Sequence, residues 1–313
     1  MNTSRDLVPL GKTGIMITTV GVGTWAWGDR LMWGYGNGFN DADIREAFDV
    51  SLENGTNWFD TAEVYGLGKS EEFLGKFLPS PSKEVLVATK FMPYPWRVRK
   101  QAMFRALKKS LKRLQLDQVD LYQIHTPLLW WRKPEYVATL AAVVKAGLTR
   151  AAGVSNFDTE QTRLANETLQ AKGVPLASNQ VEYSLFDRRI EKNGLLDYCR
   201  ANEITIIAYS PLAKGMATGK YGPDNPPPGP RKRMYPPEKL AQYQPLITLL
   251  KEIGAGHGKT PAQVALNWTI CKGTVPIPGA KNAEQAAENL GAMGWRLKPE
   301  EVAALDEASD LPD

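Results

Sequence analysis

Eight short apolar segments recur along the chain, and stretches with helical spacing separate most of them. Most end near a polar residue, and they read TTVGVGTW, TNWFDTA, VLVATKF, VDLYQIHTP, AAGVSNF, LASNQVEY, TIIAYSP and TVPIPGA. Strands that alternate with helices in this way predict a parallel sheet. Eight such units in 313 residues favour an α/β fold, a closed (β/α)8 TIM barrel, over the alternative of an open doubly wound sheet.

Two glycine-rich stretches look like nucleotide-binding motifs but have simpler explanations. GVGTWA, residues 21–26, matches the dinucleotide fingerprint by letter, yet the residues after it do not favour a helix. GAGHGKT, residues 254–260, is one residue short of a P-loop. Its Thr260 is expected to cap a helix instead, with Pro261 at the first helical position and Gln263 completing a capping box.

Composition and charge narrow the possible partners. The net charge of +4 is too small to indicate nucleic acid or an anionic membrane surface. Only two cysteines and two histidines are present, so neither a structural zinc site nor a histidine-rich catalytic metal site is expected. These counts leave magnesium binding by carboxylates alone open, but no residue of the chain is assigned to a metal. No apolar run reaches the roughly 18 residues of a membrane span, and the first residues lack targeting-peptide features. We therefore expect a cytoplasmic monomer with a single domain over residues 1–313.

Four titratable side chains are expected to meet at one end of the barrel. Asp60, Lys90 and His125 come at the carboxyl ends of three predicted strands, and Tyr65 follows shortly after Asp60. The carboxyl ends of the strands in such a barrel surround one pocket. Each of these residues alone has a structural explanation, as a helix cap, a solvated charge or a core aromatic, but four of them at one mouth favour an active site.

The four groups have complementary chemistry. A free tyrosine has a pKa of about 10, and we expect the Lys90 ammonium to lower that of Tyr65, with Asp60 holding Lys90 by an ion pair. His125 can donate a hydrogen bond to a carbonyl oxygen. Such a set polarises a carbonyl group and protonates it. Because it contains no hydride source, a reduction here needs a cofactor.

The segments NWFDTAEVYG, VATKF, QIHTP, GVSNF, NQVEYSLF, AYSPLAKG and VPIPGAKNAEQAAENLG, in this order, resemble an aldo-keto reductase over about residues 7 to 310. The resemblance implies the barrel, an N-terminal β-hairpin in DLVPLGKTGIMITTVG and an extra C-terminal helix in GAMGWRLKPEEVAALDEAS. It also implies a catalytic tetrad of Asp60, Tyr65, Lys90 and His125. The expected reaction is NADPH-dependent reduction of small aldehydes or ketones to alcohols, with Tyr65 as the proton donor.

Two other functions stay open at this point. The resemblance is to the branch that includes bacterial and plant reductases and the β subunits of potassium channels. The chain is therefore alternatively an NADPH-binding regulatory subunit with little turnover. A barrel lyase that forms a Schiff base on Lys90 is a further alternative, which the expected pairing with Asp60 disfavours.

The resemblance also implies contacts to NADPH or NADP. Ser155, Asn156 and Gln180 would hold the carboxamide, Tyr209 would stack on the nicotinamide, and Glu288 and Asn289 would contact the adenine. Members of the family often recognise the 2′-phosphate with Lys-Ser and a later Arg, where this chain has Gly279, Ala280, Lys281 and Gln285. The full expected set comprises Thr24, Trp25, Asp60, Ser155, Asn156, Gln180, Tyr209, Ser210, Pro211, Leu212, Gly215, Lys220, Arg231, Gly279, Lys281, Gln285, Glu288 and Asn289.

One Pro- and Gly-rich segment interrupts the strand–helix rhythm. Residues 213–240 follow the seventh predicted strand and carry the basic run Arg231-Lys232-Arg233. We expect a lid over the pyrophosphate that is poorly ordered without cofactor; the alternative is a solvated surface loop. Aromatic residues after the strand ends are expected to wall the substrate pocket unless they belong to the core, namely Trp27, Trp33, Trp96 and Trp130.

Overall fold

Parallel strands and helices alternate through the chain, after an N-terminal hairpin. The structure is a computed structural model, which describes residues 6–79, 85–97, 99–128, 134–229 and 231–310. The hairpin pairs β1 (Leu7–Pro9) with β2 (Met16–Thr18). The parallel strands are β3 (Val22–Gly23), β4 (Trp58–Asp60), β5 (Leu86–Phe91), β6 (Val119–Ile124), β7 (Thr149–Ser155), β8 (Leu176–Glu182), β9 (Thr205–Tyr209) and β10 (Val275–Pro276).

The eight parallel strands close into a barrel. Each strand pairs with the next one in the chain, from β3 to β10. The two ends of this sheet meet, because Gly21 N donates to Pro276 O (3.0 Å) and Gly23 N donates to Pro278 O (3.1 Å). Sequential order and closure confirm the predicted (β/α)8 barrel and rule out a doubly wound sheet, in which the strand order reverses.

Helices surround the barrel and follow the local signals in the sequence. They are α1 (Asp41–Glu53), α2 (Lys69–Phe77), α3 (Lys100–Leu114), α4 (Pro134–Lys145), α5 (Thr159–Gln170), α6 (Arg189–Lys192), α7 (Leu195–Ala201), α8 (Arg231–Met234), α9 (Pro237–Gln242), α10 (Gln244–His257), α11 (Pro261–Cys271), α12 (Ala283–Leu290) and α13 (Pro299–Ala308). The predicted capping box begins α11: Thr260 Oγ1 accepts from Gln263 N (3.2 Å), and Gln263 Oε1 accepts from Thr260 N (3.0 Å). GAGHGKT therefore contains the last turn of α10 and the N-cap of α11, and α13 is the predicted extra helix.

The lower half of the barrel interior is filled with apolar side chains. The hairpin contributes Leu10, Ile15 and Ile17, which pack against strand residues such as Trp58 and Ala88. Side chains alternate along a strand, so Lys90, two positions beyond Ala88, lies on the same inner face nearer the mouth. An apolar plug at one end thus leaves the polar residues at the other.

The layer between the plug and the mouth is tightly packed. A Cβ on Gly153 of β7 would lie 2.5 Å from Ser178 Oγ and 2.9 Å from Gln123 Cγ. Only glycine lets these side chains approach so closely. In the described ranges, no helix is both long enough and apolar enough to cross a lipid bilayer.

Candidate active site

The carboxyl ends of β4 and β5 bring Asp60 and Lys90 together. Lys90 Nζ forms an ion pair with Asp60 Oδ1 and donates to Thr61 O (2.9 Å). The same Nζ lies 3.2 Å from Tyr65 OH. The Lys90 and Asp60 side chains are 0% and 2% exposed, so this ammonium is withdrawn from water and its charge acts on Tyr65 with little screening.

Asp60 has further partners that fix its orientation. Its Oδ2 accepts from Gln180 Nε2 (2.8 Å) and from Gln123 Nε2 (3.3 Å). These hydrogen bonds hold the carboxylate in one orientation. Gln123 was not among the predicted site residues. Its position two residues before His125, on the same face of the strand, is the signal that identifies it.

His125 lies beside Tyr65. It follows β6 directly, and the two rings are edge to face with centroids 5.7 Å apart. Burial, and next the Lys90 charge, lower the pKa of His125 to about 3. The imidazole is therefore neutral near pH 7, and its single N–H can donate to an oxygen without adding a positive charge.

The direction of the Tyr65 pKa shift corrects the expectation from sequence. Burial raises the pKa of Tyr65 above its usual value, and the Lys90 ammonium acts in the opposite direction without reversing the shift. The expected net lowering of the pKa was wrong, because the loss of hydration destabilises the phenolate more than the charge of the Lys90 ammonium stabilises it. Tyr65 therefore keeps its proton near pH 7.

Lys90 stays positively charged despite its burial. Desolvation acts to lower the pKa of Lys90, but Asp60 and Tyr65 outweigh it and the net shift is upward. A Schiff base requires a neutral amine. The lyase alternative is therefore unsupported by the surroundings of Lys90.

The ends of β7, β8 and β9 supply a second polar group that is bonded internally. Tyr209 OH donates to Asn156 Oδ1 (2.9 Å), and Asn156 Nδ2 donates to His125 O (3.0 Å) and Ser155 Oγ (3.1 Å). Ser155 Oγ in turn donates to Gln180 O (2.9 Å). The residues expected to hold a carboxamide thus lie together beside His125.

Two residues at these strand ends have left-handed backbone conformations. Asn156 follows β7 with φ +61°, and Ser210 follows β9 with φ +50°. Asparagine tolerates this region better than serine does. Such strain persists only where the surroundings enforce it, and it is common at functional sites.

A cleft of about 530 Å³ lies between the residues after β9 and those around α12. Its volume is typical of a small-molecule site. Twelve of the expected cofactor residues line it: Trp25, Ser210, Pro211, Leu212, Gly215, Lys220, Arg231, Gly279, Lys281, Gln285, Glu288 and Asn289. Residues absent from the sequence-based set also line it, including Lys214, Thr218, Tyr221 and Glu284.

Several expected cofactor residues are buried, namely Thr24, Asp60, Ser155, Gln180 and Asn289. Thr24 is completely buried; its Oγ1 is bonded to Ser70 Oγ (2.7 Å) and donates to Asp60 O (3.0 Å). Its side chain thus lies beneath the cleft surface. Asn289 lines the cleft but is largely buried, and its Nδ2 donates to Gly279 O (3.2 Å).

The tryptophans differ in their positions, and two of them take the roles considered for them. Trp27 is fully buried and its Nε1 donates to Ala280 O (2.9 Å), so it is a core residue and not a pocket wall. Trp33 lines the cleft. Trp96 is 75% exposed and stacks on Tyr94 at a centroid distance of 4.9 Å. Trp130 lies outside the described residues.

Cationic side chains border the cleft. Lys281 Nζ donates to Trp33 O (3.1 Å) and lies 4.9 Å from the centroids of the Trp33 and Phe39 rings. Burial, and next the charge of Arg231, lower the pKa of Lys281. Arg231 Nη1 donates to Lys214 O (2.9 Å). The predicted lid therefore contributes Lys220 and Arg231 to the same cleft as Lys281.

The predicted lid segment has local structure of its own. A 3-10 turn (Ala213–Thr218), α8 and α9 lie within residues 213–240, and Tyr235 OH donates to Ala213 O (3.1 Å). Whether its order depends on cofactor stays a prediction. Among the described residues, no group of three or more His, Cys, Asp or Glu side chains could hold a metal ion.

Comparison with known proteins gives matches over most of the chain. The Aldo/keto reductase family model matches residues 19–310. Pyridoxal reductase, chloroplastic, of Arabidopsis thaliana is 41% identical, over 94% of this chain and 84% of its own length. Aldo-keto reductase yakc of Schizosaccharomyces pombe, whose name specifies NADP(+), is 33% identical over 87% of this chain and 82% of its own.

A solved structure agrees with these matches. The crystal structure of the thermostable aldo-keto reductase Tm1743 with the inhibitor epalrestat has a TM-score of 0.78 at 32% identity, covering 96% of this chain and 99% of that chain. A family match of this extent, on a barrel of the same fold, shows that the chain belongs to the aldo/keto reductase family of oxidoreductases.

Proposed function

We propose that the protein reduces small aldehydes or ketones to alcohols with NADPH. The observation that carries the proposal is the protonated Tyr65 hydroxyl, 3.2 Å from the buried Lys90 ammonium and beside a neutral His125. These groups can act on a carbonyl oxygen, which gains negative charge and then a proton during reduction.

The cleft beside these groups suits a dinucleotide phosphate. Positive charge along it comes from Lys220, Arg231 and Lys281. The ring of Tyr209 lies near His125, because Asn156 is hydrogen-bonded to both residues. NADPH would supply the hydride when bound. Lys281, Lys220 and Arg231 are the residues that we propose hold the 2′-phosphate and pyrophosphate, because phosphates pair with such side chains.

The chain's own residues perform the proton chemistry. His125 donates a hydrogen bond to the substrate oxygen, and Tyr65 OH transfers its proton to that oxygen as the negative charge develops. Lys90 stabilises the phenolate that Tyr65 becomes, and Asp60 keeps the ammonium in place. Solvent then returns a proton to Tyr65 after the alcohol leaves.

Pyridoxal is the first substrate to test. A relative that is 41% identical is named for its reduction. In this chain Trp25 lies nearly parallel to Tyr65, at a centroid distance of 6.1 Å, and is 36% exposed. An exposed indole face beside the proton donor favours a flat aromatic aldehyde, since aromatic rings stack on one another.

The proposal is tested with the purified protein and a panel of aldehydes and ketones that includes pyridoxal. Nicotinamide absorbance should fall with NADPH, and more slowly with NADH. Tyr65→Phe keeps the ring but removes the acidic proton, so kcat should fall at least about 100-fold, while the Kd for NADPH, followed by fluorescence, stays close to the parent value.

Near-parental turnover by Tyr65→Phe would refute the role of Tyr65. Tight NADPH binding by the parent protein without turnover of any carbonyl would favour the regulatory alternative.

We also propose a cytoplasmic monomer, although the Arabidopsis relative is named chloroplastic. Light scattering and cell fractionation test these two points.

A further inference from the structure

An ion pair with a buried carboxylate lies beside the turn that carries Tyr65. Glu71, in the first turn of α2, is completely buried. Its Oε2 accepts from Arg113 Nε of α3 (2.6 Å) and Nη2 (2.5 Å). Its Oε1 accepts from Thr89 Oγ1 (2.6 Å). One carboxylate thus joins α2, α3 and β5.

The strand partner of Glu71 is the neighbour of Lys90. Thr89 and Lys90 are consecutive in β5, so their side chains point to opposite faces of the strand. Thr89 faces the helices and binds Glu71, while Lys90 faces the interior and contacts Tyr65. The Glu71 carboxylate therefore links the helix that follows Tyr65 to the strand that carries Lys90.

The turn between Tyr65 and α2 lies against the side chain of Arg113. Gly66, Leu67 and Gly68 have φ angles of +54°, +58° and +95°. Leu67 is almost fully exposed, so its side chain contributes little packing. A Cβ on Gly68 would lie 2.9 Å from Arg113 Cδ and 3.0 Å from Arg113 Nε. The Arg113 side chain thus packs closely against the backbone of the turn.

We propose that Glu71 and Arg113 are positioning residues for Tyr65, which set the distance between its hydroxyl and Lys90 Nζ. The proposal rests on the proposed reductase function. Ser70 adds hydroxyl links from α2 to Thr24 and Thr61, on the Asp60 side of the site. Only Glu71 connects the described part of α2 to β5 through a charged group.

A positioning role predicts a specific kinetic signature. A misplacement of about 1 Å can lower a rate about 100-fold. The charged and titratable groups that face Tyr65 are Asp60, Lys90, His125 and Tyr209. Of these, Lys90 is the group that lowers the pKa of Tyr65. Moving Tyr65 away from Lys90 therefore raises this pKa.

The test is Glu71→Gln, measured with NADPH and the best carbonyl substrate of the parent enzyme. We expect kcat to fall about 10- to 100-fold, with the Kd for NADPH unchanged. The alkaline limb of the kcat–pH profile should move to higher pH. Arg113→Lys retains the positive charge but cannot bond Glu71 through two nitrogen atoms. It should give a smaller change in the same direction.

Asp120→Asn is the matched control. Asp120, on β6, accepts from Val87 N of β5 (2.8 Å) and pairs with Arg150 (2.7 Å) near the amino ends of these strands. It ties the same strand as Glu71, but at the opposite end of the barrel. This variant should keep the parental kcat and the parental alkaline limb. If Glu71→Gln does not fold, Thr89→Val removes only the link to β5 and should give the same pH shift.

The possible outcomes separate this proposal from the reductase function. The positioning role is overturned if the parent is active and Glu71→Gln or Thr89→Val keeps the parental pH profile. This holds whatever the loss in kcat. A parent that reduces no carbonyl overturns the proposed function itself. A shift of the alkaline limb in Asp120→Asn as well would overturn the positioning role, because any weakening of β5 would then have the same effect.

Discussion

Lys90 is the residue on which the proposed proton transfer depends most directly. It is buried, ion-paired with Asp60 and within 3.2 Å of Tyr65 OH. Lys90→Met removes the charge at similar side-chain length and leaves Asp60 as a buried carboxylate without its cation. We expect kcat to fall about 100- to 1,000-fold with NADPH affinity retained, as measured by steady-state kinetics and fluorescence titration.

Asp60→Asn is the companion variant at this scale. It keeps the hydrogen-bonding shape but removes the charge that holds Lys90, so its kcat should fall less than that of Lys90→Met. A larger loss in Asp60→Asn than in Lys90→Met would contradict the proposed order, in which Asp60 acts through Lys90.

The sequence predicted Asp60, Tyr65, Lys90 and His125 as members of this site but missed Gln123, and it did not predict their energetic balance. Asp60, Lys90 and His125 were identified because strand ends converge in a barrel. The net upward pKa shift of Tyr65 was missed, since it depends on burial of the hydroxyl. Trp27 and Trp33 lie in one aromatic run, and only their packing shows that the first is core and the second lines the cleft.

The segment after β9 matters at the scale of the secondary-structure elements. Its helix α8 begins at Arg231, which borders the cleft and donates to Lys214 O. Arg231→Ala removes positive charge that would face a phosphate, so we expect NADPH to dissociate faster in stopped-flow fluorescence. Lys232→Ala is the matched control, because Lys232 is exposed on the same short helix.

Equal dissociation rates for the Arg231→Ala variant and the parent would contradict the lid and favour the alternative, a solvated surface segment.

Sequence alone could place this segment and its charges, because proline and glycine interrupt the helical periodicity. It could not show which cation enters the cleft. That depends on contacts such as the packing of the Arg231 guanidinium over the Tyr221 ring, 5.5 Å from its centroid.

Acid stability is a property of the whole molecule to which His125 contributes. Its pKa is about 3 in the folded chain, against a usual value of 6.5. Between these values the unfolded chain binds a proton that the folded chain does not, so stability falls as the pH is lowered through this window. Thermal melts at pH 7 and pH 5 should show a smaller loss of Tm in His125→Gln than in the parent.

Identical acid sensitivity in the parent and His125→Gln would contradict this assignment. At this scale the sequence was most informative, because the eight strands and the capping box of α11 follow from local periodicity or capping. The hairpin was expected only from the family resemblance. The pair of Glu71 and Arg113 was not visible in the sequence. Glu71 and Arg113 are 42 positions apart, and either residue alone looks like an ordinary helix-surface charge.

The hairpin below the barrel has a consequence for synthesis of the chain. Asp6 pairs with Arg296, which is 290 positions away, and Gly11 N donates to Thr205 Oγ1 (2.8 Å). At about 5 to 20 residues per second, roughly 15 to 60 s separate the translation of Asp6 from that of Arg296. During that interval Leu10, Ile15 and Ile17 have no finished barrel to cover. The hairpin segment is therefore made well before all of its native partners exist, and a nascent-chain chaperone has time to bind there.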